Sequence, residues 1–173
     1  TGIATQAAAT TMVFYWKYHS PTCRAPGSSE SGTPISEVGN SIAQTGGASL
    51  MTTRRDTDTT LVELESVVPR EAEPYWLGWD RTTNVSPIGV AIHHPAGDEK
   101  RISIENDALV ESNVALREDG VLGNRHWRVT DWDVGTTEQG SSGSVLLNAD
   151  KRLIGVLSGG YAQCGNDLED YFA

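Results

Sequence analysis

The residues of this 173-residue chain that are best suited to chemistry form a short run of glycine and serine, Gly140-Ser141-Ser142-Gly143-Ser144. A nucleophilic serine needs a tight turn, because its Oγ must be exposed while backbone N–H groups of the turn point at the developing oxyanion. Glycine tolerates the backbone angles of such a turn. Ser142, with a glycine on either side, is therefore the candidate nucleophile of an acyl-transfer reaction.

Two other interpretations of this run are weighed against the nucleophile. An isolated match of this length is also typical of a flexible glycine and serine loop. The nucleophile elbow of an α/β-hydrolase needs glycine at the fifth position and alternating helices. Here Ser144 holds the fifth position and long helical periodicity is absent, so that fold is disfavoured.

The segments around the run predict short strands joined by turns. Strand candidates are 11–18, 61–65, 75–79, 88–92, 101–104, 126–132, 144–147 and 153–157. The polar residues 148–151 between the last two predict a hairpin, and residues 26–33 predict a surface loop. Only residues 35–48 offer a weak, glycine-interrupted chance of a helix. The pattern predicts an all-β barrel or sandwich.

Composition excludes several classes of function. The chain has 13 Lys and Arg against 23 Asp and Glu, and a net charge of -10 opposes binding to a phosphate backbone. No window approaches the ~20 apolar residues that a membrane-spanning helix needs. No set of residues has the spacing of metal ligands, so the sequence predicts neither a metal nor a cofactor. We expect no nucleic acid and no membrane as partners.

The order of motifs after Ser142 resembles that of trypsin-like serine proteases. The serine turn is followed by the predicted hairpin, then by Ser158-Gly159-Gly160, then by Cys164. Residues 22–27 (TCRAPG), 92–95 (IHHP), 98–103 (DEKRIS) and 151–155 (KRLIG) extend the likeness to the bacterial lysyl endopeptidases. This resemblance covers nearly the whole chain.

The resemblance implies a chymotrypsin-like double β-barrel with the site in the cleft between the barrels. Residues 1–68 would be the later part of the N-terminal barrel. Residues 69–173 would be most of the C-terminal barrel, which carries the nucleophile and lacks its last strand. The implied function is a secreted or extracellular serine endopeptidase that cleaves peptide or protein substrates after lysine or arginine through an acyl-enzyme.

The family pattern also assigns roles to individual residues. The N–H groups of Gly140 and Ser142 would form the oxyanion hole. Asp58 would orient the catalytic histidine, because residues 58–64 (DTTLVEL) resemble the family's strand at that point, and Asp56 is the competing candidate. The segment that begins at Ser158 and includes Gly159 and Gly160 would pair with the substrate backbone.

A carboxylate at the floor of the specificity pocket would select a basic side chain. Six residues before Ser142, where trypsin has its aspartate, this chain has Thr136. The family takes the acid from a position that resembles Asp170, with Glu169 as the adjacent alternative. Ser158 stands where strictly lysine-specific members have histidine, so the choice between lysine and arginine is open.

The catalytic histidine has no clear candidate. The fold requires the chain order histidine, aspartate, serine, and only His19 precedes Asp58. His19 follows an aromatic strand, whereas the family's histidine lies in an Ala-His-Cys-like segment that would stand upstream of this chain. His93 and His94 match a structural element of the second barrel, and His126 is interpreted as a surface or packing residue.

Cys23 and Cys164 fit one long-range disulfide, two free thiols, or two half-cystines with partners elsewhere. The resemblance implies the third arrangement, with a separate N-terminal polypeptide that supplies two cysteines and the histidine, and with activity only in its presence. One alternative is a catalytically inactive homologue or fragment that acts as a peptide-binding or protein-binding β domain. Another is a β-sandwich interaction domain in which residues 140–144 are only a loop.

Overall fold

The computed structural model describes residues 3–31, 33, 41–55, 57–113 and 125–173. In these residues a short helix, α1 (Gln6–Thr10), and two 3₁₀ turns (Arg70–Ala72 and Pro95–Gly97) accompany eleven strands. The strands are β1 (Phe14–Trp16), β2 (Ile42–Gln44), β3 (Ala48–Arg54), β4 (Thr59–Leu64), β5 (Gly89–His93), β6 (Arg101–Glu105), β7 (Val110–Ser112), β8 (His126–Asp131), β9 (Val145–Leu147), β10 (Leu153–Gly160) and β11 (Leu168–Phe172). The all-β prediction is confirmed.

The larger part of the molecule is a seven-stranded antiparallel sheet in the order β6-β5-β9-β10-β11-β8-β7. Successive side chains of a strand point to opposite faces. In β5 this alternation buries Ala91 and His93 and leaves Ile92 at the surface. In β6 it buries Ser103 and Glu105, so the interior side of this sheet edge carries polar groups as well as apolar ones.

An apolar core lies inside this curved sheet. Its buried members are Ala91, Leu109, Val129, Trp132, Leu146, Leu157 and Phe172. The Trp132 and Phe172 rings meet edge to face with centroids 6.3 Å apart, a geometry that adds to the gain from burial. The core fixes the position of β11, the strand that carries Asp170.

The first part of the chain forms two smaller sheets, β1 with β2 and β3 with β4. Helix α1 lies against β3, where the Gln6 amide donates to the Ala48 carbonyl at 3.2 Å and accepts from the Leu50 N–H at 2.8 Å. One link to the larger sheet is the Lys100 N–H, which donates to the Tyr18 carbonyl at 2.9 Å. The boundary between two barrels near residue 68 stays a prediction.

A second link is ionic. The Glu99 side chain is 2% exposed and lies between two guanidinium groups, Arg101 at 2.7 Å and Arg24 at 3.5 Å. Arg24 also donates to the Glu30 carbonyl at 2.8 Å. The predicted surface loop that begins at Pro26 is thereby tied to β6, since breaking a buried ion pair of this kind is costly.

Most strand predictions are confirmed, but two segments differ. Residues 75–79 form no strand: only Trp79 makes a single parallel bridge, to Leu153. The reason is register, because with Trp79 opposite Leu153 in a parallel bridge the residues before Trp79 lie opposite residues 149–152, which form the hairpin turn and offer no strand to pair with. The weak helix within 35–48 is wrong where it is described, since residues 42–44 form β2 and β3 begins at Ala48. Residues 34–40 lie outside the described residues.

Candidate active site

The serine turn lies between β8 and β9 and has the geometry that its glycines predict. Ser142 is exposed, whereas Ser141 beside it is fully buried. Gly140 has φ +100° and Gly143 has φ +85°, angles that favour glycine. A Cβ on Gly140 would also lie 2.9 Å from the Ala96 nitrogen. The turn therefore presents the Ser142 hydroxyl to solvent and cannot accommodate a larger residue at Gly140.

Hydrogen bonds to two carbonyls of the turn fix the direction of two N–H groups. The Gln139 carbonyl accepts from the Ala96 N–H at 2.8 Å, and the Ser141 carbonyl accepts from the Ser144 N–H at 3.1 Å. In a trans peptide the N–H points opposite to the carbonyl. The N–H groups that follow, those of Gly140 and Ser142, consequently point away from these donors. Within the described residues neither N–H donates a hydrogen bond, so both are available to an oxyanion.

A buried histidine lies beneath the turn. His93 Nδ1 is 2.9 Å from Ser141 Oγ, and His93 Nε2 is 3.0 Å from Ser103 Oγ. The Glu138 N–H also donates to Ser141 Oγ, at 3.3 Å. Burial first, and then the positive charges of His94 and Arg101, lower the pKa of His93 to about 4. His93 is therefore neutral at pH 7, and its interpretation as a structural residue agrees with this placement.

A cavity of about 450 Å³ opens beside Ser142 and has Asp170 in its wall. Asp170 is 2% exposed, and its Oδ2 accepts from Trp132 Nε1 at 2.8 Å and from Thr137 Oγ1 at 2.5 Å. Burial raises the pKa of Asp170, although these two donors act in the opposite direction. No described side chain donates to Oδ1. The cavity thus contains a carboxylate oxygen that has no hydrogen-bond partner among the described residues.

The structure separates Asp170 from the other candidates for the pocket acid. The Glu169 carboxylate pairs with Arg128 and accepts from the Tyr171 hydroxyl at 3.4 Å. Glu169 does not line the cavity, and neither does Thr136, whose neighbour Thr137 does. Glu169 has φ +61°, which interrupts the regular course of β11 just before Asp170. The sequence missed Thr137 and Trp132 as partners of the acid, because only the fold brings them together.

The segment that begins at Ser158 leaves one strand edge open beside Ser142. β10 pairs with β9 as far as Val156, and from Leu157 onward it pairs with β11 alone. The Gly143 N–H donates to the Leu157 carbonyl at 2.9 Å and ties the serine turn to this strand. An extended peptide can add to such an edge by main-chain hydrogen bonds.

Two glycines of this segment, Gly159 and Gly160, line the same cavity as Ser142 and Asp170. A Cβ on Gly160 would lie 2.1 Å from Asp170 Oδ1. Glycine at this position therefore keeps the carboxylate accessible. The structure brings together four of the predicted site residues around one cavity.

Asp58 lies elsewhere, in the turn between β3 and β4, and has φ +50°. The competing Asp56 lies outside the described residues. None of the four histidines of the sequence hydrogen-bonds to Ser142. His19 contacts the Ser20 carbonyl and His94 contacts that of Asp98. The structure therefore does not place an imidazole on the candidate nucleophile.

His126 is buried in β8, and its ring meets the Tyr171 ring edge to face at 6.3 Å. Its two ring nitrogens have no hydrogen-bond partner among the described residues. The packing interpretation of His126 is therefore the correct one.

Cys23 and Cys164 are both exposed free thiols, so of the three arrangements left open by the sequence the structure does not show a disulfide between them. The two cysteines have different surroundings. The Cys164 N–H donates to the Glu138 carboxylate at 3.1 Å, whereas Cys23 directly precedes Arg24, whose guanidinium pairs with Glu99. The described residues contain no cluster of three or more side chains suited to a metal ion. No helix among them has the length and hydropathy to cross a bilayer.

Comparison with known proteins gives consistent results. The family model of the lysyl endopeptidase C-terminal domain matches residues 2–173. A lysyl endopeptidase of Pseudomonas aeruginosa is 32% identical over 182 residues, which cover 99% of this chain and 35% of that protein. This chain thus spans just over a third of the length of that relative.

Solved protease structures share the fold. The crystal structure of the Rv3671c protease from M. tuberculosis in its active form matches with a TM-score of 0.50 and 13% identity, over 96% of this chain and 77% of that one. The inactive form of the Rv3671c protease gives 0.51 and 13%, over 78% and 66%. The predicted chymotrypsin-like barrel fold is confirmed by these neighbours.

Proposed function

Because the chain belongs to the family of lysyl endopeptidase C-terminal domains, we propose that it carries the nucleophile and the specificity pocket of a secreted serine endopeptidase that cleaves peptides after lysine or arginine. The observation that supports this most directly is the shared cavity. The exposed Ser142 and the buried Asp170 line it together, as a serine nucleophile and a selector of basic side chains would.

In this reaction Ser142 Oγ attacks the carbonyl carbon of the scissile peptide and its proton passes to a general base. The carbonyl oxygen becomes an oxyanion that accepts hydrogen bonds from the Gly140 and Ser142 N–H groups. Collapse of the intermediate breaks the C–N bond, and the leaving amine takes the proton from the base. Water then attacks the acyl-enzyme by the same route and releases the carboxylic acid.

Selection of a basic side chain follows from the position of Asp170. A carboxylate buried beside an empty cavity costs free energy until a cation pairs with it. Trp132 and Thr137 already occupy Oδ2, which leaves Oδ1 as the open acceptor. One open oxygen suits the point charge of a lysine ammonium better than an arginine guanidinium, which binds best in bidentate form. We therefore propose lysine as the preferred residue.

The general base is proposed to come from outside residues 1–173, since the histidines at 19, 93 and 94 hydrogen-bond to groups other than Ser142. The relative of P. aeruginosa is nearly three times as long as the matched region. We propose that further polypeptide supplies a histidine, that Asp58 orients it, and that Cys23 and Cys164 bond to cysteines of the same polypeptide. Both thiols are exposed, as such bonds require.

The alternative function is a peptide-binding β domain without catalysis, which the lack of an imidazole at Ser142 favours. A fluorophosphonate probe separates the two, because it labels only an activated serine. We expect the protein that contains residues 1–173 together with its upstream polypeptide to be labelled, and Ser142→Ala to abolish labelling. Ser66→Ala is the matched control, since Ser66 is exposed next to β4. An unlabelled protein that still binds lysine peptides would establish the alternative.

A further inference from the structure

We infer that His93 is a positioning residue of the proposed reaction: by holding Ser141 it keeps the N–H groups of Gly140 and Ser142 aimed into the cleft. The inference rests on the proposed function, because it gives His93 a task within that reaction. It also goes beyond that function, in which His93 touches neither the substrate nor the reacting atoms.

His93 is not only buried but also hydrogen-bonded at both ring nitrogens. Its imidazole is 1% exposed and has a serine hydroxyl at each ring nitrogen, Ser141 at 2.9 Å and Ser103 at 3.0 Å. His126 is equally buried, at 2% exposed, yet neither of its nitrogens has a hydrogen-bond partner among the described residues. A buried histidine in this protein can thus pack without hydrogen bonds. The hydrogen-bonded bridge from Ser103 of β6 through His93 to Ser141 of the serine turn is therefore not a mere consequence of burial.

Ser141 lies between Gly140 and Ser142 in the sequence, so the position of its backbone sets the direction of both N–H groups that would bind the oxyanion. Its N–H donates to the Glu138 carbonyl at 2.9 Å, and its carbonyl accepts from the Ser144 N–H at 3.1 Å. These two contacts hold Ser141 only to its neighbours in the chain, whereas Gln139 and Gly143 on either side bond to Ala96 and Leu157. The His93 bond to Ser141 Oγ ties the turn to the sheet. Such a tie matters because Gly140 and Gly143 leave the turn free to adopt other conformations.

The bridge is stable near neutral pH. The ionisable groups that face His93 are His94 and Arg101, which disfavour its cation, and Glu138, which favours it. The ring is neutral, and a neutral imidazole has one donor and one acceptor nitrogen. Since a serine hydroxyl can donate or accept, Ser141 and Ser103 satisfy either tautomer.

Two amide substitutions separate the two halves of the bridge. An asparagine amide at position 93 reaches the place of Nδ1 and can retain the bond to Ser141, whereas a glutamine amide reaches the place of Nε2 and retains the bond to Ser103. Removal of one oxyanion donor lowers kcat by about 10²- to 10³-fold. We expect His93→Gln to lower kcat for a lysine ester or amide by about 10²-fold with KM nearly unchanged, and His93→Asn to keep kcat within about tenfold.

His126→Gln is the control for the loss of a buried imidazole and should keep the kcat of the parent protein. His93→Gln combined with Ser141→Ala should be no slower than either single variant, because both remove the same bond. Equal kcat values for His93→Gln and the parent protein would overturn the inference. So would equal losses in His93→Gln and His93→Asn, which indicate a general packing defect.

A second measurement does not depend on catalysis. In ¹⁵N-labelled protein, the amide signals of Gly140 and Ser142 should shift in His93→Gln and stay near their parent positions in His93→Asn. Unchanged amide signals in His93→Gln would refute the positioning role even if the protein hydrolyses nothing. A parent protein with no Ser142-dependent hydrolysis but with these shifts would instead refute the proposed function and leave the geometry of the turn established.

Discussion

Replacement of Asp170 by asparagine removes a charge from the cavity with little change in shape. The amide oxygen can accept from Trp132 Nε1 and Thr137 Oγ1, the two donors that now hold Oδ2 at 2.8 Å and 2.5 Å. The amide nitrogen then takes the place of Oδ1. Because Trp132 belongs to the core and stays bonded, Asp170→Asn should fold, and its effect should be confined to what the cavity binds.

The size of the effect follows from the burial of the acid. Asp170 is 2% exposed, so a lysine ammonium in the cavity forms an ion pair that solvent screens little. Removal of one partner of a buried ion pair costs about 3–5 kcal/mol. At about 1.4 kcal/mol for each factor of ten, kcat/KM for a lysine substrate should fall by about 10²- to 10⁴-fold. A substrate with norleucine in place of lysine has no charge to lose and should change by less than about tenfold.

The assay compares kcat/KM for matched peptides that differ only in lysine, arginine or norleucine before the scissile bond. Glu169→Gln is the matched control, since the Glu169 carboxylate pairs with Arg128 and does not line the cavity. Glu169→Gln should retain the preference for lysine. If Asp170→Asn lowers all three values equally, or if the preference is lost in Glu169→Gln instead, the assignment of the pocket acid is wrong.

Three further predictions concern neighbouring residues. Gly160→Ala should lower kcat/KM for lysine and norleucine peptides alike by about 10-fold or more, because its Cβ would lie 2.1 Å from Asp170 Oδ1 and 2.3 Å from the Glu169 carbonyl oxygen of β11. His126→Phe should raise the free energy of unfolding in urea by about 1 kcal/mol, since no residue that the structure describes hydrogen-bonds to the buried ring nitrogens. The pKa of His93 is near 4 when folded and near 6.5 when unfolded, so below pH 6.5 the unfolded state binds more protons. Urea melts should therefore show stability falling by up to about 3 kcal/mol from pH 6.5 to pH 4, and His93→Asn should remove that loss.

The serine turn and the hairpin after it could be predicted from the sequence because their signals are local. Gly140 and Gly143 indicate the turn angles, and the apolar segments on both sides of residues 148–151 indicate the paired strands. The strand at 75–79 was wrong for a reason that no local signal reveals. Its aromatic residues fit a strand, but in the parallel register of the Trp79–Leu153 bridge they lie opposite the turn at 148–151 and not opposite a strand.

The pocket acid could be placed by sequence only to within one residue. Asp170 and Glu169 are adjacent, and their identities do not show which one faces inward. The structure puts Asp170 and not Glu169 in the wall of the cavity, with a positive φ at Glu169 and with Asp170 paired to Val129 across β11 and β8. β11 itself was not predicted as a strand, so its register could not be predicted either.

The contacts that hold the serine turn in its conformation could not be predicted from the sequence. A turn that needs glycine at two positions has a backbone that its own sequence cannot hold, so its conformation depends on contacts from distant segments. Ala96 holds Gln139, and the Leu157 carbonyl holds Gly143. His93 adds a tie that a side chain provides, and a side chain can be replaced without change to the rest of the backbone.

These ties come from the larger sheet and from the 3₁₀ turn Pro95–Gly97 that follows β5, whereas the proposed general base comes from polypeptide outside residues 1–173. The cavity with Asp170 and the two N–H donors are therefore formed without the base. Loss of the base removes most of the rate but leaves oxyanion stabilisation and binding, which act independently of it. In the proposed enzyme, affinity for lysine peptides and reactivity of Ser142 are thus separable properties. Changes at Asp170 should alter the first, changes at His93 should alter the second, and neither should depend on the other.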